Sequence, residues 1–379
     1  MNKEIVIVIH EPSLSGANIG LLEILTVLSK NYNFIIVAPS FGKLISCILH
    51  LKPDSTIIIK DYRWWMHFEK TRFNILFTIK QRIKNIIAIR DIYLILRKRK
   101  VELIFSNTIV INIGAVLARK LEKPHYWYLH EFGKLDHDFN FLYGEKNSRK
   151  QMKKIGGNVF ANSKITSVYF STWLDKSIDF LYYPVIVNEK PNPVVKKLDK
   201  ISFLILGRIN VRKGHMFALQ AIRELDHSLN KSIELTIMGN CDDDQYLLVL
   251  EEFVKKHKLE QIVRFLPHEA DPFKIVNKHD IVLNFSENEA FGRMNIEAMK
   301  LGKILVSTNR GSSSELITHG YNGFIFNHNN LTEFINLIDE IGQLSDFEIS
   351  KISSNAINYS NNKFNYTQSL DKINAIIKI

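Results

Sequence analysis

Two glutamates flank a Phe-Gly pair in the segment FSENEAFGRMNIEAMKLGK, residues 285–303. Glu289 precedes Gly292, and Glu297 lies about one turn into the helix that the spacing of RMNIEAMKL predicts. The free N–H groups at a helix N-terminus suit a phosphate, and a glycine lets that phosphate approach the backbone. Because a carboxylate repels a phosphate, each glutamate is expected to accept hydrogen bonds from neutral hydroxyls on either side. A sugar, a diphosphate and a ribose in a row meet that description.

The spacing of the two glutamates does not by itself indicate a ligand site. With 39 acidic residues in 379, about four pairs at this separation are expected by chance. The pair therefore counts only because it sits in a strand, loop, glycine and helix arrangement. The structural alternative makes Glu297 a first-turn acid that complements the helix dipole and leaves Glu289 as a solvated loop residue.

A second loop, GRINVRKGH, follows the apolar run ISFLIL. Gly207 permits a close turn, while Arg208 and Lys213 place two cations ahead of a predicted helix N-terminus. Arginine offers a planar fork for phosphate oxygens and lysine a mobile point charge. The loop is therefore a candidate diphosphate clamp, or alternatively a solvated basic turn.

Two further loops give weaker signals. Gly16, in HEPSLSGANIG, precedes a predicted helix and offers backbone N–H groups to a phosphate, although an ordinary strand-to-helix turn has the same pattern. The aspartates of CDDDQ, residues 241–245, are explained as caps of a helix N-terminus. The histidines lack zinc-ligand spacing, and no metal site is predicted.

Ser312 and Glu315, in GSSSE, match a capping box, which explains Glu315 without a ligand.

Parallel α/β elements must position these loops. Short β-branched runs alternate with helical spacing in both halves, and 379 residues exceed the usual size of one core. FLYYPV is predicted as the last strand of the first half. The sequence predicts two Rossmann-like domains facing across a cleft, with ligands at the carboxyl ends of the strands. The predicted division is a first domain over 1–187, a Pro- and Lys-rich linker over 188–200, a second domain over 201–356, and a helical segment over 357–379 that packs back on the first domain.

The composition restricts the class of protein. No apolar run reaches the roughly 18 residues of a membrane span, and two cysteines cannot form a disulfide framework, so a cytoplasmic protein is expected. Of the formal charge of +11, the stretch from Lys60 to Lys100 carries +9. Its aromatic residues, apolar stripe and cations describe a peripheral helix on an anionic membrane, or else a helix packed on the sheet with a solvated basic face. No nucleic-acid recognition motif is present, and nucleic acid is not expected as a partner.

The order of motifs in the second half resembles retaining glycosyltransferases of family 4, which have the GT-B architecture. The matching segments are GRINVRKG, ELTIMGN, DIVLNFSENEAFGRMNIEAMKLGKILVS and GSSSELITHGYNGFIF. The first half is similar more loosely, in its opening strand and Gly16, in YWYLHE and in FANSK. The chain departs from the family pattern at Ser15 and in GSSSE, where a second glycine is common.

The resemblance implies specific roles in binding a nucleotide-sugar donor. Arg208, Lys213 and the backbone of Phe291 and Gly292 would bind the diphosphate. Glu289 would bind the hydroxyls of the transferred sugar and Glu297 the ribose. His130 looks like the family's histidine near the reacting sugar, although a core histidine at a strand end has the same pattern.

The expected activity is transfer of a sugar, with retention and without a metal or cofactor, to a glycan or lipid-linked acceptor in the synthesis of surface polysaccharide or glycolipid. The enzyme rivals are a nucleotide-sugar epimerase and a sugar phosphorylase of the same architecture. The rival of another class is a basic membrane- or nucleic-acid-binding protein without catalysis. The clamp and the glutamate pair argue against that last alternative.

Overall fold

The computed structural model describes residues 3–68, 75–195, 200–228, 232–241, 243–269 and 271–376. The chain divides into two compact units. The first unit comprises Met1–Pro184 with Tyr366–Ile379, and the second comprises Val185–Asn365.

A seven-stranded parallel sheet, in the order β3-β2-β1-β5-β6-β8-β9, forms the centre of the first unit. A short antiparallel pair, β4 with β7, stands apart from it. The strands are β1 Lys3–Val8, β2 Tyr32–Ala38, β3 Thr56–Ile59, β4 Met66–Phe68, β5 Val101–Ser106, β6 His125–Leu129, β7 Phe139–Phe141, β8 Asn158–Ala161 and β9 Asp179–Phe180. The helices are α1 Gly16–Leu28, α2 Lys43–Leu51, α3 Ile75–Leu96, α4 Ile113–Leu121, α5 Lys134–His137, α6 Glu145–Ile155 and α7 Lys164–Leu174.

The second unit has a six-stranded sheet, in the order β12-β11-β10-β13-β14-β15, whose pairings are all parallel. The strands are β10 Lys200–Leu206, β11 Ser232–Met238, β12 Val263–Leu266, β13 Ile281–Asn284, β14 Ile304–Thr308 and β15 Phe324–Phe326. The helices are α8 His215–Ser228, α9 Asp244–Lys256, α10 Phe273–Asn277, α11 Arg293–Lys300, α12 Ser313–Leu316, α13 Leu331–Gln343 and α14 Asp346–Lys363. A 3-10 turn, Val211–Lys213, precedes α8.

Both sheets are buried on both faces, as the continuous apolar runs of their central strands require. In the second unit, Phe217 of α8, Phe326 of β15 and Phe334 of α13 pack around Phe285, whose ring centre lies 5.2 Å from those of Phe217 and Phe334. Such aromatic contacts add to the energy of area burial. They fix α8 and α13 on the sheet directly beneath the loop that follows β13.

The predicted α/β fold with two Rossmann-like sheets is confirmed. One predicted strand differs, because FLYYPV belongs to a strand only at its first residue, at the end of the two-residue strand β9. The carbonyl of Leu181 accepts a hydrogen bond from the hydroxyl of buried Tyr128 at 2.6 Å, and Pro184 has no N–H to donate. The segment therefore leaves the sheet after β9.

The C-terminal helices belong to different units. Helix α14 begins with a capping box between Ser345 and Glu348 and belongs to the second unit. Helix α15, Tyr366–Ile376, belongs to the first unit, where the hydroxyls of Tyr366 and Ser369 donate to the carbonyls of Val27 and Tyr182. A boundary thus falls between α14 and α15.

A buried lysine fastens the proline-rich stretch to the second sheet. Lys303 immediately precedes β14, and its Nζ donates to the carbonyls of Asn192 at 2.7 Å and Asn277 at 3.1 Å. Burial lowers the pKa of Lys303 to about 8. The largely buried Lys303 thus ties these two carbonyls to the start of β14.

None of the helices in the described residues is both long enough and apolar enough to cross a membrane.

The buried histidine at the start of β6 should make the first unit sensitive to acid. Burial lowers the pKa of His125 to about 3, and its Nε2 lies 2.9 Å from the hydroxyl oxygen of Ser106. The folded-state pKa of His125 lies below the unfolded value near 6.5. The contribution of the neutral His125 ring to the free energy of unfolding is therefore fully present above pH 6.5 and is lost as the pH falls toward 3. Between pH 6.5 and 5.0, this residue should lower the free energy of unfolding by about 1.5 kcal/mol.

Urea denaturation at the two pH values tests this prediction. His125→Asn should lose about 1.5 kcal/mol less than the wild-type chain over that interval, whatever its stability at neutral pH. His227→Asn, at an exposed position of α8, is the substitution control. Equal losses in the wild-type chain and His125→Asn would contradict the assignment.

Candidate active site

The loop after β10 carries the two predicted clamp cations. Gly207 has φ +135° and Gly214 has φ +71°, so both take conformations that favour glycine. Between them, Arg208 is exposed, and Lys213 ends the 3-10 turn that leads into α8. The sequence-predicted cations therefore lie at the carboxyl end of a central strand, ahead of a helix N-terminus.

Backbone contacts fix the course of this loop. A Cβ on Gly239, after β11, would overlap the carbonyl oxygen of Gly207. A Cβ on Gly214 would lie 2.6 Å from the Cβ of Phe285, at the end of β13. The N–H of Ile209 also donates to the carbonyl of Asn240 at 2.9 Å. The loops after β10, β11 and β13 therefore pack backbone against backbone.

The loop after β13 positions the first glutamate and the glycine. Gly292 has φ +74° and is the N-cap of α11, so its backbone takes a left-handed conformation where the helix begins. Phe291 is buried, with its ring edge against Phe364 and the ring centres 6.0 Å apart. The side chain of Phe291 thus belongs to the core. Only its backbone remains for the predicted phosphate contact.

Lys213 and Glu289 form an ion pair between the loops after β10 and β13. Nζ of Lys213 donates to Oε2 of Glu289 at 2.8 Å, and the two side chains are 35% and 21% exposed. Burial raises the pKa of Glu289, but the Lys213 charge and hydrogen bonds from Lys213, Ser286 and the Gly292 backbone outweigh it, leaving the pKa below its usual value. The carboxylate is therefore ionised at neutral pH and neutralised by a neighbouring cation.

Glu297 is paired within its own helix. Nε of Arg293 lies 2.7 Å from Oε1 of Glu297, one helical turn away, and the two side chains are only 15% and 10% exposed. A first-turn acid that only complements a helix dipole would be solvated, which this carboxylate is not. Arg293 was missed by the sequence reasoning, although its position four residues before Glu297 was the signal.

A buried hydrogen-bond network lies under the loop and α11. Asn284, at the end of β13, donates to Asn295 at 2.9 Å, and Asn295 donates to Ser313 at 3.1 Å. The hydroxyl of Ser307 lies 2.8 Å from that of Ser313, and the amide oxygen of Asn284 accepts from the N–H of Ser286. All of these residues are buried. Satisfied networks of this kind hold the loop that bears Glu289 in one arrangement.

A further glycine supports Glu289 from the loop after β14. Gly311 has φ +57°, and a Cβ there would overlap the backbone nitrogen and carbonyl oxygen of Glu289. The N–H of the next residue, Ser312, donates to that carbonyl at 2.7 Å. Gly311 was not among the predicted site residues. The glycine that opens GSSSE was its signal.

The predicted capping box at Ser312 and Glu315 is wrong. Ser312 has helical backbone angles, and its side chain makes no cap hydrogen bond. Its hydroxyl is buried close to Gly292, where a Cβ would meet it at 2.9 Å. Packing of this loop on Gly292 therefore takes precedence over the local sequence signal.

The first unit places its two predicted residues on separate loops at the carboxyl edge of its sheet. Gly16 begins α1 and is exposed, with open space where a Cβ would be. The preceding loop carries Glu11, whose hydrogen bond and charge interaction with His10 lower its pKa to about 2 against the effect of burial. Gly16 thus has room for a side chain, unlike Gly214, Gly239 and Gly311 of the second unit.

His130 follows β6 and is buried. Its Nε2 lies 2.8 Å from Oδ1 of Asn107, whose amide nitrogen faces the carbonyl of Ala17 and the side-chain oxygen of Asn18. This arrangement assigns the proton to Nε2. Nδ1, a bare acceptor, has no hydrogen-bond partner in the described part of the chain. Burial, with a smaller contribution from His10, lowers the pKa of His130 to about 3, so the ring is neutral at neutral pH.

The aspartates after β11 behave as a helix cap. Asp243 is the N-cap of α9, and its carboxylate accepts from the N–H of Gln245 at 3.0 Å. Asp242 lies outside the described residues. Within the described ranges, histidine, cysteine, aspartate and glutamate form no cluster of three that could hold a metal ion.

The Lys213–Glu289 pair should show a measurable coupling. Lys213→Met leaves a half-buried carboxylate without its cation, and Glu289→Gln leaves the cation without its carboxylate. Because both side chains are partly exposed, we expect a coupling of only about 1 kcal/mol in the free energy of unfolding. Urea denaturation of the two single variants, the double variant and the wild-type chain measures it. Strict additivity would show that the pair contributes nothing.

Gly311→Ala should destabilise the second unit more than the matched change Gly320→Ala. Both glycines have positive φ, +57° and +72°, so each alanine adds backbone strain of about 1 kcal/mol. Only at position 311 does the new Cβ overlap the backbone of Glu289, since Gly320 has open space. We expect a difference of at least about 2 kcal/mol in denaturation experiments. Equal losses would mean that the loops do not pack as described.

The second unit is similar in sequence to known proteins. Residues 187–359 match the family model described as glycosyl transferases group 1. The putative glycosyltransferase YtcC of Bacillus subtilis is 26% identical over 227 residues, covering 56% of this chain and 54% of YtcC. The mouse alpha-1,3/1,6-mannosyltransferase ALG2 is 28% identical over 189 residues, covering 44% of this chain and 46% of ALG2. The chain spans about half the length of these curated relatives.

The fold likeness extends further along the chain. The crystal structure of Anabaena HepE in complex with UDP superposes with a TM-score of 0.78 at 18% identity, covering 99% of this chain and 100% of HepE. The same protein has been solved with UDP-glucose. The likeness supports the GT-B architecture predicted from the motifs. Residues 187–359, the segment that matches the glycosyl transferases group 1 family model, include every predicted donor-binding residue of the second unit.

Proposed function

We propose that the protein is a retaining glycosyltransferase that moves a sugar from a nucleotide-diphosphate donor to a glycan or lipid-linked acceptor. One observation carries the proposal. Lys213, Glu289 and the Gly292 helix N-terminus converge from the loops of two adjacent strands, and the Lys213–Glu289 distance is 2.8 Å. A cation, an ionised carboxylate and the N-terminus of a helix in one place suit a sugar joined to a diphosphate.

The charges of the clamp match the charge that develops during transfer. The bond between the anomeric carbon and the diphosphate oxygen breaks, and its electron pair stays with the diphosphate. Arg208, Lys213 and the N–H groups at the start of α11 would stabilise that negative charge, and loss of one such contact costs on the order of 10²- to 10³-fold in rate. In this proposal the protein's own cations supply the charge stabilisation and no metal is required.

The two glutamates would bind neutral hydroxyls on either side of the diphosphate. Lys213 neutralises Glu289, which lowers the repulsion between that carboxylate and a nearby phosphate. Arg293 does the same for Glu297 and fixes the orientation of its carboxylate. We assign Glu289 to the transferred sugar and Glu297 to the ribose.

His130 has the properties of a neutral hydrogen-bond acceptor for a sugar hydroxyl. Nδ1 carries no proton when Nε2 donates to Asn107, and the depressed pKa keeps the ring uncharged. We assign this role to His130 within the first unit.

Transfer forms a bond from the acceptor oxygen to the anomeric carbon, on the face that the diphosphate leaves, and releases the hydroxyl proton of the acceptor.

The names of the similar proteins support a carbohydrate pathway and a first donor to test. ALG2 is named as a mannosyltransferase, and HepE has been solved with UDP and with UDP-glucose. A role in surface-polysaccharide or glycolipid synthesis at the cytoplasmic face of a membrane fits these names and the basic first unit. A uridine donor is therefore the first candidate.

Thermal shift against UDP, GDP, ADP and their sugars tests the donor site. One nucleotide should raise the melting temperature of the full chain, because a ligand that binds only the folded state stabilises it by mass action. Arg208→Ala and Glu297→Ala should each weaken that binding at least about tenfold. Arg264→Ala, on an exposed position of β12, removes an arginine of the same unit outside the clamp and should leave binding unchanged.

The outcomes separate the rival functions. No shift with any nucleotide at millimolar concentration would contradict the proposal. Consumption of the nucleotide sugar in the absence of an acceptor, without release of free sugar, would indicate an epimerase instead. Nucleotide binding that survives both Arg208→Ala and Glu297→Ala would place the donor elsewhere.

A further inference from the structure

Helix α3 of the first unit is apolar on two opposite faces. The inner face packs on the unit through Ala88, Ile92 and Leu96, which are at most 3% exposed. These three residues are spaced four apart and lie on one side of the helix. With the partly buried Ile89 and Tyr93, they pack α3 against the core of the first unit.

The outer face is largely apolar as well, interrupted by the exposed Arg90, and nothing in the described residues covers it. At 100° per residue, the side chains opposite the inner face form a stripe about 22 Å long. The stripe contains Ile79, Ile83, Ile86, Ile87 and Leu94, which are 49%, 52%, 59%, 47% and 44% exposed. Single exposed aliphatic residues are ordinary, but five on one face of one helix mark a contact surface.

The charge around the stripe is strongly positive. Residues 75–100 contain eight Lys or Arg and one acid, which gives +7 of the chain's formal +11. Some of these cations are paired, as Lys84 is with Asp61 at 2.5 Å. Lys80, Arg82, Arg97 and Lys98 are exposed and form no ion pair with a described residue. They flank the stripe and continue it at its C-terminal end.

These observations discriminate between possible occupants. A helix that packs on the sheet with a solvated basic face explains the inner side of α3 and the cations, but not five exposed aliphatic side chains. A second copy of the chain would bring two surfaces of +7 together, and like charges oppose such pairing. An anionic lipid surface satisfies both the aliphatic stripe and the flanking cations.

We propose that α3 lies in the plane of an anionic lipid bilayer, with Ile79, Ile83, Ile86 and Ile87 among the acyl chains. Lys80, Arg82, Arg97 and Lys98 would contact the lipid phosphates on either side and at the C-terminal end. The helix would lie at the interface without spanning it. This inference extends the proposed function, since a lipid-linked acceptor resides at such a surface, but its evidence is independent of the donor site.

Flotation of the full-length chain with vesicles tests the proposal. We expect binding to vesicles of phosphatidylcholine mixed with phosphatidylglycerol, little binding to phosphatidylcholine alone, and weakening by salt. Ile83→Gln/Ile87→Gln should lower the partition coefficient at least about tenfold. Lys80→Gln/Arg82→Gln should lower it about fivefold for each charge removed at low salt.

Matched controls lie on α9 of the second unit. Leu248→Gln/Val249→Gln removes two aliphatic side chains of similar exposure, 57% and 49%. Lys255→Gln/Lys256→Gln removes two exposed cations. Both control variants should bind vesicles like the wild-type chain. Circular dichroism and the nucleotide-induced thermal shift show whether each variant is folded.

Three outcomes would overturn the proposal. In the first, the wild-type chain does not float with the vesicles. In the second, the α3 variants float as well as the wild-type chain. In the third, the wild-type chain binds no vesicles but forms a dimer in light scattering, and Ile83→Gln/Ile87→Gln dissociates that dimer. Failure of the donor site gives a different pattern, because flotation would persist while no nucleotide shifts the melting temperature. The two proposals can therefore fail separately.

Discussion

Close contact between backbones determines the arrangement of the second unit's carboxyl edge. Gly239 admits the carbonyl of Gly207, Gly214 lies against Phe285, and Gly311 lies against Glu289. A side chain at any of these glycines would separate two loops. Because adjacent parallel strands are only about 4.8 Å apart, the loops that follow them can share one small site only if their backbones touch. These glycines therefore bring Lys213 within hydrogen-bond distance of Glu289.

The ion pair that results has a chemical consequence as well as a structural one. A carboxylate near a diphosphate is unfavourable unless a cation lies between them or beside them. Lys213 fills that position for Glu289, and Arg293 fills it for Glu297. In the proposed donor complex, each glutamate would accept hydrogen bonds from hydroxyl groups beside the diphosphate while it remains paired with its own cation. The buried network beneath them, from Asn284 to Ser313, restrains the loop that bears Glu289.

The sequence predicted the elements of the fold well, because buried parallel strands are continuous apolar runs that few other structures contain. It also identified the residues that converge from the loops after β10 and β13. It did not identify Gly311 or Gly239, since their importance depends on contacts between loops that are distant in the chain. The Ser312–Glu315 capping box was predicted from local spacing alone, and packing against Gly292 and Glu289 replaced it. Local signals were therefore reliable for elements and unreliable for contacts between them.

The same reasoning explains why α3 could not be interpreted from its pattern. Apolar residues on both faces give a helix without a clear amphipathic direction, and a buried helix has that pattern too. The structure resolves the ambiguity, because Ala88, Ile92 and Leu96 are buried in the core of the first unit while Ile79, Ile83 and Ile86 are exposed. The exposed half of these aliphatic side chains contributes nothing to the hydrophobic stabilisation of the folded unit in water. Its position among the cations of residues 75–100 is accounted for by a surface that is both apolar and anionic, which is a property of bilayers and of few soluble partners.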